Sequence, residues 1–383
     1  MADKIGIVGM GKLGIAWAAL MSSKFSVCGV DVSEERIRQI QNNGKFFEPH
    51  VNEYLEKYGK NLEVSTEYNI VKDCFVVFVL TQTPSLPNGK FDVKYVESAV
   101  SKIHEVNDNC LIAISSTINI GVVDELSRKY HKQMAYNPEF IKQGSIINDF
   151  LNPKMVLIGA YTERDGEKIA DIWRKFHNRP QHIVKPIEAE IIKLSLNVSF
   201  TLGITFANVI GELSDTVGAD SNRILDLIYQ DRRDYKKGLG YMGPCFPRDT
   251  KCFGTMCKEK GIESGWRFTD TLDYLNHHTV ERYVREIEKY RKKNIGFLGI
   301  SYKPSIPYIE ASQPLEIASI LEKSGHRIFV HDPIAENEAK KVLKSAVFCK
   351  TVDECAQLSD VLFIGTANYK DVALSKQIVN PWK

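Results

Sequence analysis

The sequence predicts an α/β protein with two mainly parallel sheets and a helical segment between them. In the first half, short apolar runs recur at regular intervals and alternate with stretches that suit helices. Each run is apolar throughout, which indicates strands of a parallel sheet covered by helices on both faces. From residue 187 to about residue 289 this strand pattern stops, and it resumes at residue 294. The order along the chain is therefore sheet, helices, sheet.

The individual elements follow from this rhythm. The first sheet is predicted to contain strands at 5–8, 25–30, 75–80, 110–115, 155–158 and 182–184, with helices at 33–42 and 92–106. The middle segment is predicted to contain helices at 188–217, 221–229, 247–260 and 270–289. The second sheet is predicted to contain strands at 294–300, 327–331, 346–349 and 360–365, with a helix at 313–324. We place the domain boundaries at 1–186, 187–290 and 291–383.

Composition limits the classes of function. The 383 residues are 43% hydrophobic and 26% charged, which is typical of a soluble protein with a sizeable core. The net charge of +2 offers no basic block for nucleic acid or for a membrane surface. The eight cysteines form no CxxC pair and have no histidine at zinc spacing, so we expect buried thiols in a reducing compartment and no metal. The N-terminus runs directly into an apolar strand, and the most apolar helix carries Asn197, Asn208 and Glu212, so we predict a cytoplasmic protein without a membrane span.

A glycine-rich turn follows the first predicted strand. Its residues are Gly9, Met10, Gly11, Lys12, Leu13 and Gly14. Such glycines allow a tight turn and close approach of a pyrophosphate to the N-terminus of the next helix. Asp31 ends the second strand about 20 residues later, where a ribose 2′-hydroxyl would be met. Because Asp31 would repel a 2′-phosphate, the pattern favours NAD over NADP; a tight turn without a ligand is the alternative.

Arg36 lies one helical turn beyond Asp31. It could lie against the adenine side of the cofactor, or it could be a solvated helix residue. With the glycine turn, it completes the prediction of an NAD-binding Rossmann-like domain at the N-terminus. The second sheet is predicted to be Rossmann-like as well, with one long central helix in the segment between the two.

Cys245 differs from the other cysteines in its surroundings. Glycines precede it, and Pro247 suits the first turn of a helix, so Cys245 would lie at a helix N-terminus. The helix dipole favours a thiolate there and makes the thiol a better nucleophile. Asp249, about one turn further on, could orient a neighbour or a water. A buried cysteine without chemistry is the alternative.

The long predicted helix carries Glu190, Lys193 and Asn197 on one face, because they are three and four residues apart. A lysine and an asparagine that point together into a cleft could polarise an alcohol oxygen or hold an oxyanion. On spacing alone, an ordinary polar helix face is the better interpretation.

These signals occur together in one family. The chain resembles the UDP-glucose/GDP-mannose dehydrogenases over essentially its whole length, with the same three-part order. The matching motifs are the glycine turn with Asp31, Thr83-Pro84, Ser116-Thr117, Asn137-Pro138-Glu139-Phe140, Glu190 with Lys193 and Asn197, Gly243-Pro-Cys245-Phe-Pro-Arg-Asp249, Leu298-Gly299 with Tyr302-Lys303, and Asp332-Pro333. Several of these motifs are short, but their joint occurrence in this order is highly specific.

The resemblance implies a four-electron oxidation of the C6 alcohol of a nucleotide sugar, with UDP-glucose as the first choice. Cys245 would be the nucleophile, supported by Lys193, Asn197, Asp249, Glu139 and Thr117. Cofactor contacts would come from the glycine turn, Asp31, Arg36, Thr83, Thr117 and Gln143. Substrate contacts would come from Glu139, Phe140, Ile141, Lys142, Lys193, Asn197, Arg233, Gly240, Tyr241, Gly243, Tyr302 and Lys303.

The resemblance also implies a homodimer built on the long helix, and a place in polysaccharide biosynthesis. Four apolar residues of that helix could supply contact area or could equally belong to the core of the chain. They are Leu194, Leu196, Phe200 and Ile204.

Three residues and the length of one loop depart from the family pattern. Gln143 stands where the family usually has a glutamate on the cofactor side, and Glu310 stands where an arginine is expected near the cofactor. The loop between Arg233 and Cys245 is several residues short, and Arg248 replaces the commoner lysine. Glu310 matters most, because a reversed charge about 4 Å from its partner costs up to about 4 kcal/mol at an effective dielectric near 20.

Two other functions stay open at this point. A two-electron hydroxyacid dehydrogenase shares the first domain and a helix with lysine and asparagine, but it needs neither Cys245 nor a second nucleotide-binding sheet. A regulatory protein that binds NAD or a sugar nucleotide without turnover is suggested by Gln143 and Glu310. Retention of Cys245, Lys193 and Asn197 argues against it.

Lys12 occupies a glycine-turn position where the family commonly has tyrosine, so we hypothesise that it restores positive charge near the pyrophosphate. Lys12→Ala should therefore weaken NAD binding, measured by titration calorimetry with the purified protein. An unchanged NAD affinity would exclude the compensation.

Overall fold

The fold is taken from a computed structural model that describes residues 3–42, 44–230, 235–372 and 375–382. The chain divides into two compact units, residues 1–193 and residues 194–383. The predicted α/β class, with a parallel sheet in each unit and one long helix between the sheets in sequence, is confirmed.

The first unit is built on an eight-stranded sheet. Its strands are β1 (Lys4–Val8), β2 (Ser26–Val30), β3 (Leu62–Ser65), β4 (Val76–Val79), β5 (Leu111–Ile114), β6 (Ala135–Tyr136), β7 (Val156–Gly159) and β8 (Gln181–Val184). Their order is β3-β2-β1-β4-β5-β6-β7-β8, and all neighbours are parallel except β6 and β7. The sequence did not predict β3, which is only partly buried, or β6, which has two residues.

Helices cover this sheet. They are α1 (Lys12–Met21), α2 (Glu34–Gln41), α3 (Val51–Tyr58), α4 (Lys94–Val106), α5 (Val122–Lys129), α6 (Ile146–Leu151) and α7 (Glu163–Arg174), with short 3₁₀ turns at Gly59–Asn61 and Tyr68–Val71. An aromatic cluster fills the core on one face. The ring centre of Trp17 lies 4.9 Å from that of Phe78 and 5.4 Å from those of Phe150 and Trp173. Large rings packed this closely contribute strongly to burial, so α1, α6 and α7 are fixed against the sheet.

Helix α8 (Pro186–Val217) has 32 residues and contains the predicted long helix. It is the one helix in the described part of the chain that is long and apolar enough to cross a bilayer, and half of its most apolar stretch is buried inside the protein. Leu194 is fully buried, and the ring of Phe200 lies 6.0 Å from that of Phe246. Ile204 packs on a small core with Val198 and Tyr241. For these residues of the predicted apolar set, the core interpretation fits the structure.

The remaining helices of the middle segment are α9 (Ser221–Ile228), α10 (Phe246–Glu259) and α11 (Glu263–Glu288). As predicted, residues 187–289 contain no strand where they are described. Helix α11 begins at Glu263, earlier than predicted. Its first turn contains Gly265, a poor helix former. Glycine fits there because a Cβ would lie 2.4 Å from the Cys257 sulfur.

The second unit contains a five-stranded parallel sheet. Its strands are β9 (Asn294–Leu298), β10 (Arg327–His331), β11 (Val347–Phe348), β12 (Val361–Ile364) and β13 (Gln377–Val379), in the order β11-β10-β9-β12-β13. The accompanying helices are α12 (Gln313–Lys323), α13 (Glu336–Ala339) and α14 (Val352–Leu358), with a 3₁₀ turn at Ala367–Tyr369.

Both sheets use the same turn after their first strand. The amide of Gly9, with φ of +99°, donates to Val30 O, and the amide of Gly299, with φ of +85°, donates to His331 O. The residue after each glycine then donates its amide to the aspartate that follows the neighbouring strand. Met10 donates to Asp31 at 2.7 Å, and Ile300 donates to Asp332 at 2.9 Å. The two turns are therefore built from the same hydrogen bonds.

The first turn also depends on Gly14. A Cβ there would lie 1.8 Å from Gly9 O, whereas a Cβ at Gly11 would meet nothing within 4 Å. We expect Gly14→Ala to lower the free energy of unfolding by about 3 kcal/mol through overpacking against backbone. Gly11→Ala should cost about 0.5–1 kcal/mol, as a substitution at a helix N-cap. Urea unfolding followed by circular dichroism compares the two variants; equal losses would contradict this account.

Candidate active site

The glycine turn offers a binding place for a dinucleotide phosphate. Helix α1 begins directly after Gly11, and no side chain caps its N-terminus. The space beside Gly11 is open, because a Cβ there would touch no atom within 4 Å. Amides at an uncapped helix start, next to open space, suit the pyrophosphate of NAD.

Asp31 shapes this turn and keeps capacity for a ligand. Its carboxylate accepts the amide of Met10 at 2.7 Å and the amide of Ser33 at 2.9 Å. An ionised carboxylate can accept about four hydrogen bonds, so these two leave capacity for ribose hydroxyls. Arg36 donates to the Gln39 side chain and lies 5.9 Å from the Phe46 ring centre, so it borders the same end of β2. These residues fit NAD.

The loops after β4 and β5 hold each other. The hydroxyl of Thr83 donates to Thr117 O at 2.7 Å, and the hydroxyl of Ser116 donates to Thr81 O at 2.6 Å. Thr83 is buried and Thr117 is half-buried. Thr83 and Thr117, which were predicted separately, therefore lie together at the carboxyl end of the parallel strands.

Glu139 and Lys193 also come together in the first unit. The ammonium group of Lys193 donates to the backbone carbonyl of Glu139 and lies 4.9 Å from the ring centre of Phe140. The Glu139 Oε1 atom is shielded from solvent and has no hydrogen-bond partner in the described structure. Burial raises the pKa of Glu139 to about 8, and the charge of Lys193 opposes part of that rise. Glu139 can therefore exchange a proton near neutral pH.

Two further carboxylates hold the loops that carry these groups. Glu190 accepts the amides of Gly121 at 2.6 Å and Val123 at 2.9 Å, and so caps α5 in place of a local side chain. Burial raises the pKa of Glu190 to about 7. Glu48 accepts the amides of Gly144 at 3.0 Å and Ile146 at 2.8 Å, at the start of α6.

The sequence placed Glu190 on a polar helix face without a partner, and it gave no signal for Glu48. The positions of Lys142 and Gln143 are fixed by the same turn, since the amide of Lys142 donates to Asp149 at 2.8 Å. Ile141 packs against the core of the first unit.

In the second unit, Cys245 lies at the N-cap of α10, with Pro247 in the first turn. It is the exposed one of the eight cysteines, all of which lie within the described residues, and the other seven are buried. The partial positive charge of the helix start stabilises an anion at this position. The alternative of a buried cysteine does not hold for Cys245.

Asn197 and Asp249 form a direct pair. The Asn197 amide donates to Asp249 Oδ2 at 2.6 Å, and the Asp249 side chain is 1% exposed. The other carboxylate oxygen has no hydrogen-bond partner in the described structure, and Arg248 Nε lies 3.5 Å from it. A buried carboxylate oxygen of this kind can accept a hydrogen bond from a water or a substrate hydroxyl.

The loop after β9 meets the glycines before Cys245. Gly243 has φ of +85°, its amide donates to Glu310 O at 3.1 Å, and a Cβ on it would lie 2.7 Å from the Tyr302 ring. The hydroxyl of Ser301 donates to Lys303 O at 2.9 Å, which fixes the predicted pair Tyr302 and Lys303.

Gly240 and Tyr241 are placed differently from a simple ligand-facing loop. Both are buried, and the Tyr241 hydroxyl donates to Asp273. Burial raises the pKa of Tyr241.

The Glu310 side chain is exposed. Arg233 lies outside the described residues, so its predicted contact stays a prediction.

The sequence matches three domain families along its length. They are the UDP-glucose/GDP-mannose dehydrogenase family NAD binding domain over residues 3–177, the central domain over 187–278 and the UDP binding domain over 296–379. The chain belongs to the UDP-glucose/GDP-mannose dehydrogenase family.

Individual relatives agree. The chain is 27% identical to the UDP-glucose 6-dehydrogenase TuaD of Bacillus subtilis, over 90% of this chain and 79% of that protein. It is also 27% identical to a GDP-mannose 6-dehydrogenase of Pseudomonas aeruginosa, over 95% of this chain and 92% of that protein. Among solved structures, a UDP-glucose dehydrogenase from Pyrobaculum islandicum superposes with a TM-score of 0.92 at 26% identity, covering 100% of this chain and 94% of that one.

The family consists of NAD-dependent nucleotide-sugar 6-dehydrogenases, so the protein is an oxidoreductase that uses NAD on a CH–OH group. The predicted enzyme class, the cofactor and the binding of a nucleotide sugar are confirmed at this level.

The raised pKa of Glu139 has a consequence for stability. The folded protein favours the neutral carboxyl, so ionisation costs stability as pH rises from the unfolded value near 4.5 to about 8. Glu139→Gln removes this cost. We therefore expect the melting temperature of Glu139→Gln, relative to that of wild type, to increase as pH rises from 5 to 9. Glu56→Gln, on the exposed surface of α3, is the control. A difference between Glu139→Gln and wild type that does not vary with pH would contradict the assignment.

Proposed function

We propose that the protein oxidises UDP-glucose to UDP-glucuronate with two NAD per sugar, through an intermediate bound to Cys245. The observation that carries this proposal is the position of Cys245, exposed at the start of α10, while the other seven cysteines are buried. A two-electron hydroxyacid dehydrogenase would need no such thiol.

In the first step the C6 alcohol loses its hydroxyl proton to solvent and a hydride from carbon C6, and so becomes an aldehyde. NAD supplies the hydride acceptor in both oxidations when it is bound at the glycine turn. Lys193 and Asn197, four residues apart on α8, provide an ammonium group and an amide to orient the reacting oxygen and stabilise its negative charge. The bond from Asn197 to Asp249 fixes the direction of that amide.

In the second step the Cys245 thiolate adds to the aldehyde carbon and forms a thiohemiacetal. Loss of a second hydride from that carbon gives a thioester, and water then releases the carboxylate and regenerates the thiol. A thiolate suits both needs, since it adds readily to a carbonyl and its ester stays open to hydrolysis. Glu139, with its pKa near 8, and Asp249 are the candidates that take the proton of the water.

The choice of UDP-glucose is supported by relatives whose names state that substrate. A GDP-mannose 6-dehydrogenase is equally similar, which makes GDP-mannose the alternative substrate. We further propose the three-domain division at residues 186 and 290, with Tyr302 and Lys303 on the nucleotide. A cytoplasmic enzyme without a membrane span, acting in polysaccharide biosynthesis, completes the proposal.

We also propose that the protein is a homodimer, because α8 carries an exposed apolar stripe. Its members are spaced three and four residues apart, so they share one helix face. They are Leu202, Phe206, Val209, Leu213 and Val217. This stripe differs from the apolar residues named from the sequence. A contiguous exposed apolar face on a long helix is typical of a subunit contact.

The amount of NADH formed per sugar nucleotide tests the reaction. We expect two NADH per UDP-glucose consumed, measured by absorbance and by chromatography of the sugar nucleotide, and less turnover with GDP-mannose and UDP-N-acetylmannosamine. One NADH per sugar would favour the two-electron alternative, and no NADH with any of these substrates would favour a binding protein without turnover.

Replacing the thiol tests the intermediate. Cys245→Ala should abolish uronate formation and leave NAD affinity within about twofold of wild type, since the glycine turn is untouched. Cys252→Ala, at a buried position on the same helix, is the matched control. Uronate formed by Cys245→Ala at the wild-type rate would mean that another group is the nucleophile.

Two charges placed on the stripe test the dimer. Phe206→Glu with Leu213→Glu should convert the protein to a monomer in light scattering coupled to size exclusion, because charged groups resist burial in an apolar contact. The exposed Leu358→Glu on α14 is the control. A wild-type protein that elutes as a monomer would refute the dimer.

A further inference from the structure

The segment 238–243, which leads into Cys245, is buried although it belongs to no helix or strand. Leu239, Gly240, Tyr241 and Gly243 are all buried. Backbone N–H and C=O groups removed from water need partners, and none of the described strands pairs with this segment. Side chains from three helices take that place.

Asn208 on α8 holds the start of the segment. Its side-chain oxygen accepts the amide of Gly238 at 2.9 Å, and its NH₂ group donates to Leu239 O at 3.4 Å. The hydroxyl of Tyr283 also donates to Gly238 O, at 3.1 Å.

Asn276 on α11 and Gln313 on α12 hold the centre. Asn276 accepts the amide of Tyr241 at 2.8 Å and donates to Tyr241 O at 3.1 Å, which copies the pair of bonds that a strand partner would make. Gln313 accepts the amide of Gly240 at 2.7 Å and donates to Asn276 O at 3.0 Å. We call Asn208, Asn276 and Gln313 the carboxamide clamp.

The fit of the clamp leaves little freedom. A Cβ at Gly240 would lie 2.0 Å from the side-chain oxygen of Asn276 and 2.6 Å from the side-chain nitrogen of Gln313. Two residues before Cys245, Gly243 is fixed by its bond to Glu310 O. The path of the chain into Cys245 is therefore set by contacts on both sides of Gly240.

Carboxamides suit this task for a chemical reason. Each offers both a donor and an acceptor, so one side chain can satisfy an N–H and a C=O group of the backbone, whereas an ionised carboxylate only accepts. Gln313 is also the first residue of α12, directly after the loop that carries Tyr302 and Lys303. It thus connects that loop to the segment before the cysteine.

We propose that the carboxamide clamp positions Cys245 for attack on the aldehyde, with Asn276 and Gln313 as positioning residues that act through the backbone of 240–241. The inference rests on the proposed role of Cys245. If the clamp is loosened, the first oxidation continues, because Lys193 and Asn197 lie on α8 and outside segment 238–243. Addition of the Cys245 thiolate to the aldehyde slows. Displacement of a reacting group by about 1 Å can cost about a hundredfold in rate.

The experiment compares Gln313→Ala, Gln313→Met and Gln313→Glu in the full-length protein. Methionine keeps the length of the side chain without strong hydrogen bonds, and glutamate keeps the acceptor for the Gly240 amide. We expect uronate formation to fall about tenfold or more in the alanine and methionine variants. NADH per sugar should fall from two toward one, and free aldehyde should be captured by a hydrazine reagent. Glutamate should restore part of the rate, and NAD affinity should stay unchanged throughout.

Asn276→Ala should reproduce the alanine result at Gln313. Ser359→Ala removes another buried hydrogen bond of the second unit, to Cys355 O, and should change stability without releasing aldehyde. Thermal unfolding curves give the fraction folded at the assay temperature, by which each rate is corrected. Wild-type rates and two NADH per sugar in both Gln313→Ala and Gln313→Met would overturn the inference. A wild-type protein that itself yields one NADH per sugar would instead refute the proposed function.

Discussion

The arrangement of this protein depends on how backbone amides are satisfied where parallel strands and helices give way to loops. Amides at these points lack a ladder partner, and leaving them buried and unbonded is costly. Carboxylates accept many of these amides, among them the carboxylates of Asp31, Glu48, Glu190 and Asp332. The loops held by these four carboxylates carry or adjoin residues expected to contact NAD or the nucleotide sugar, so the same bonds that satisfy the fold also fix the site.

The two aspartates show how one device serves different needs. Asp332 accepts four backbone amides, from Ile300, Ser301, Ile334 and Ala335, so its oxygens are fully used. Asp31 accepts two. Asp332 therefore holds the loop that leads to Tyr302, and Asp31 retains capacity for hydrogen bonds from a ribose. Identical turns thus differ in chemical use because of the number of amides each aspartate receives.

The buried glutamates Glu139 and Glu190 also differ in how many hydrogen bonds their carboxyl groups accept. Glu190 is buried and has both oxygens bonded to amides, whereas the buried Oε1 of Glu139 has no partner among the described atoms. Burial raises the pKa of both. A carboxyl group that is buried without a second partner keeps a proton to exchange, so Glu139 suits chemistry and Glu190 suits support.

The sequence by itself determined the alternation of strands and helices, the glycine turn with Asp31, the long helix and the position of Cys245 at a helix start. These features depend on periodicity and on glycine or proline at fixed offsets, which are local properties. It missed β3, β6 and β13, because these strands have only four, two and three residues and so carry little pattern.

Only the tertiary structure decided which polar side chains hold which loops. Glu48 and Gly144 are 96 residues apart, Glu190 and Gly121 are 69 apart, and Gln313 and Gly240 are 73 apart. It also decided that Phe200 faces the core and Phe206 faces outward on the same apolar helix. Hydrogen bonds between segments far apart in sequence form only once the sheets have brought those segments together, so no local pattern of residues predicts them.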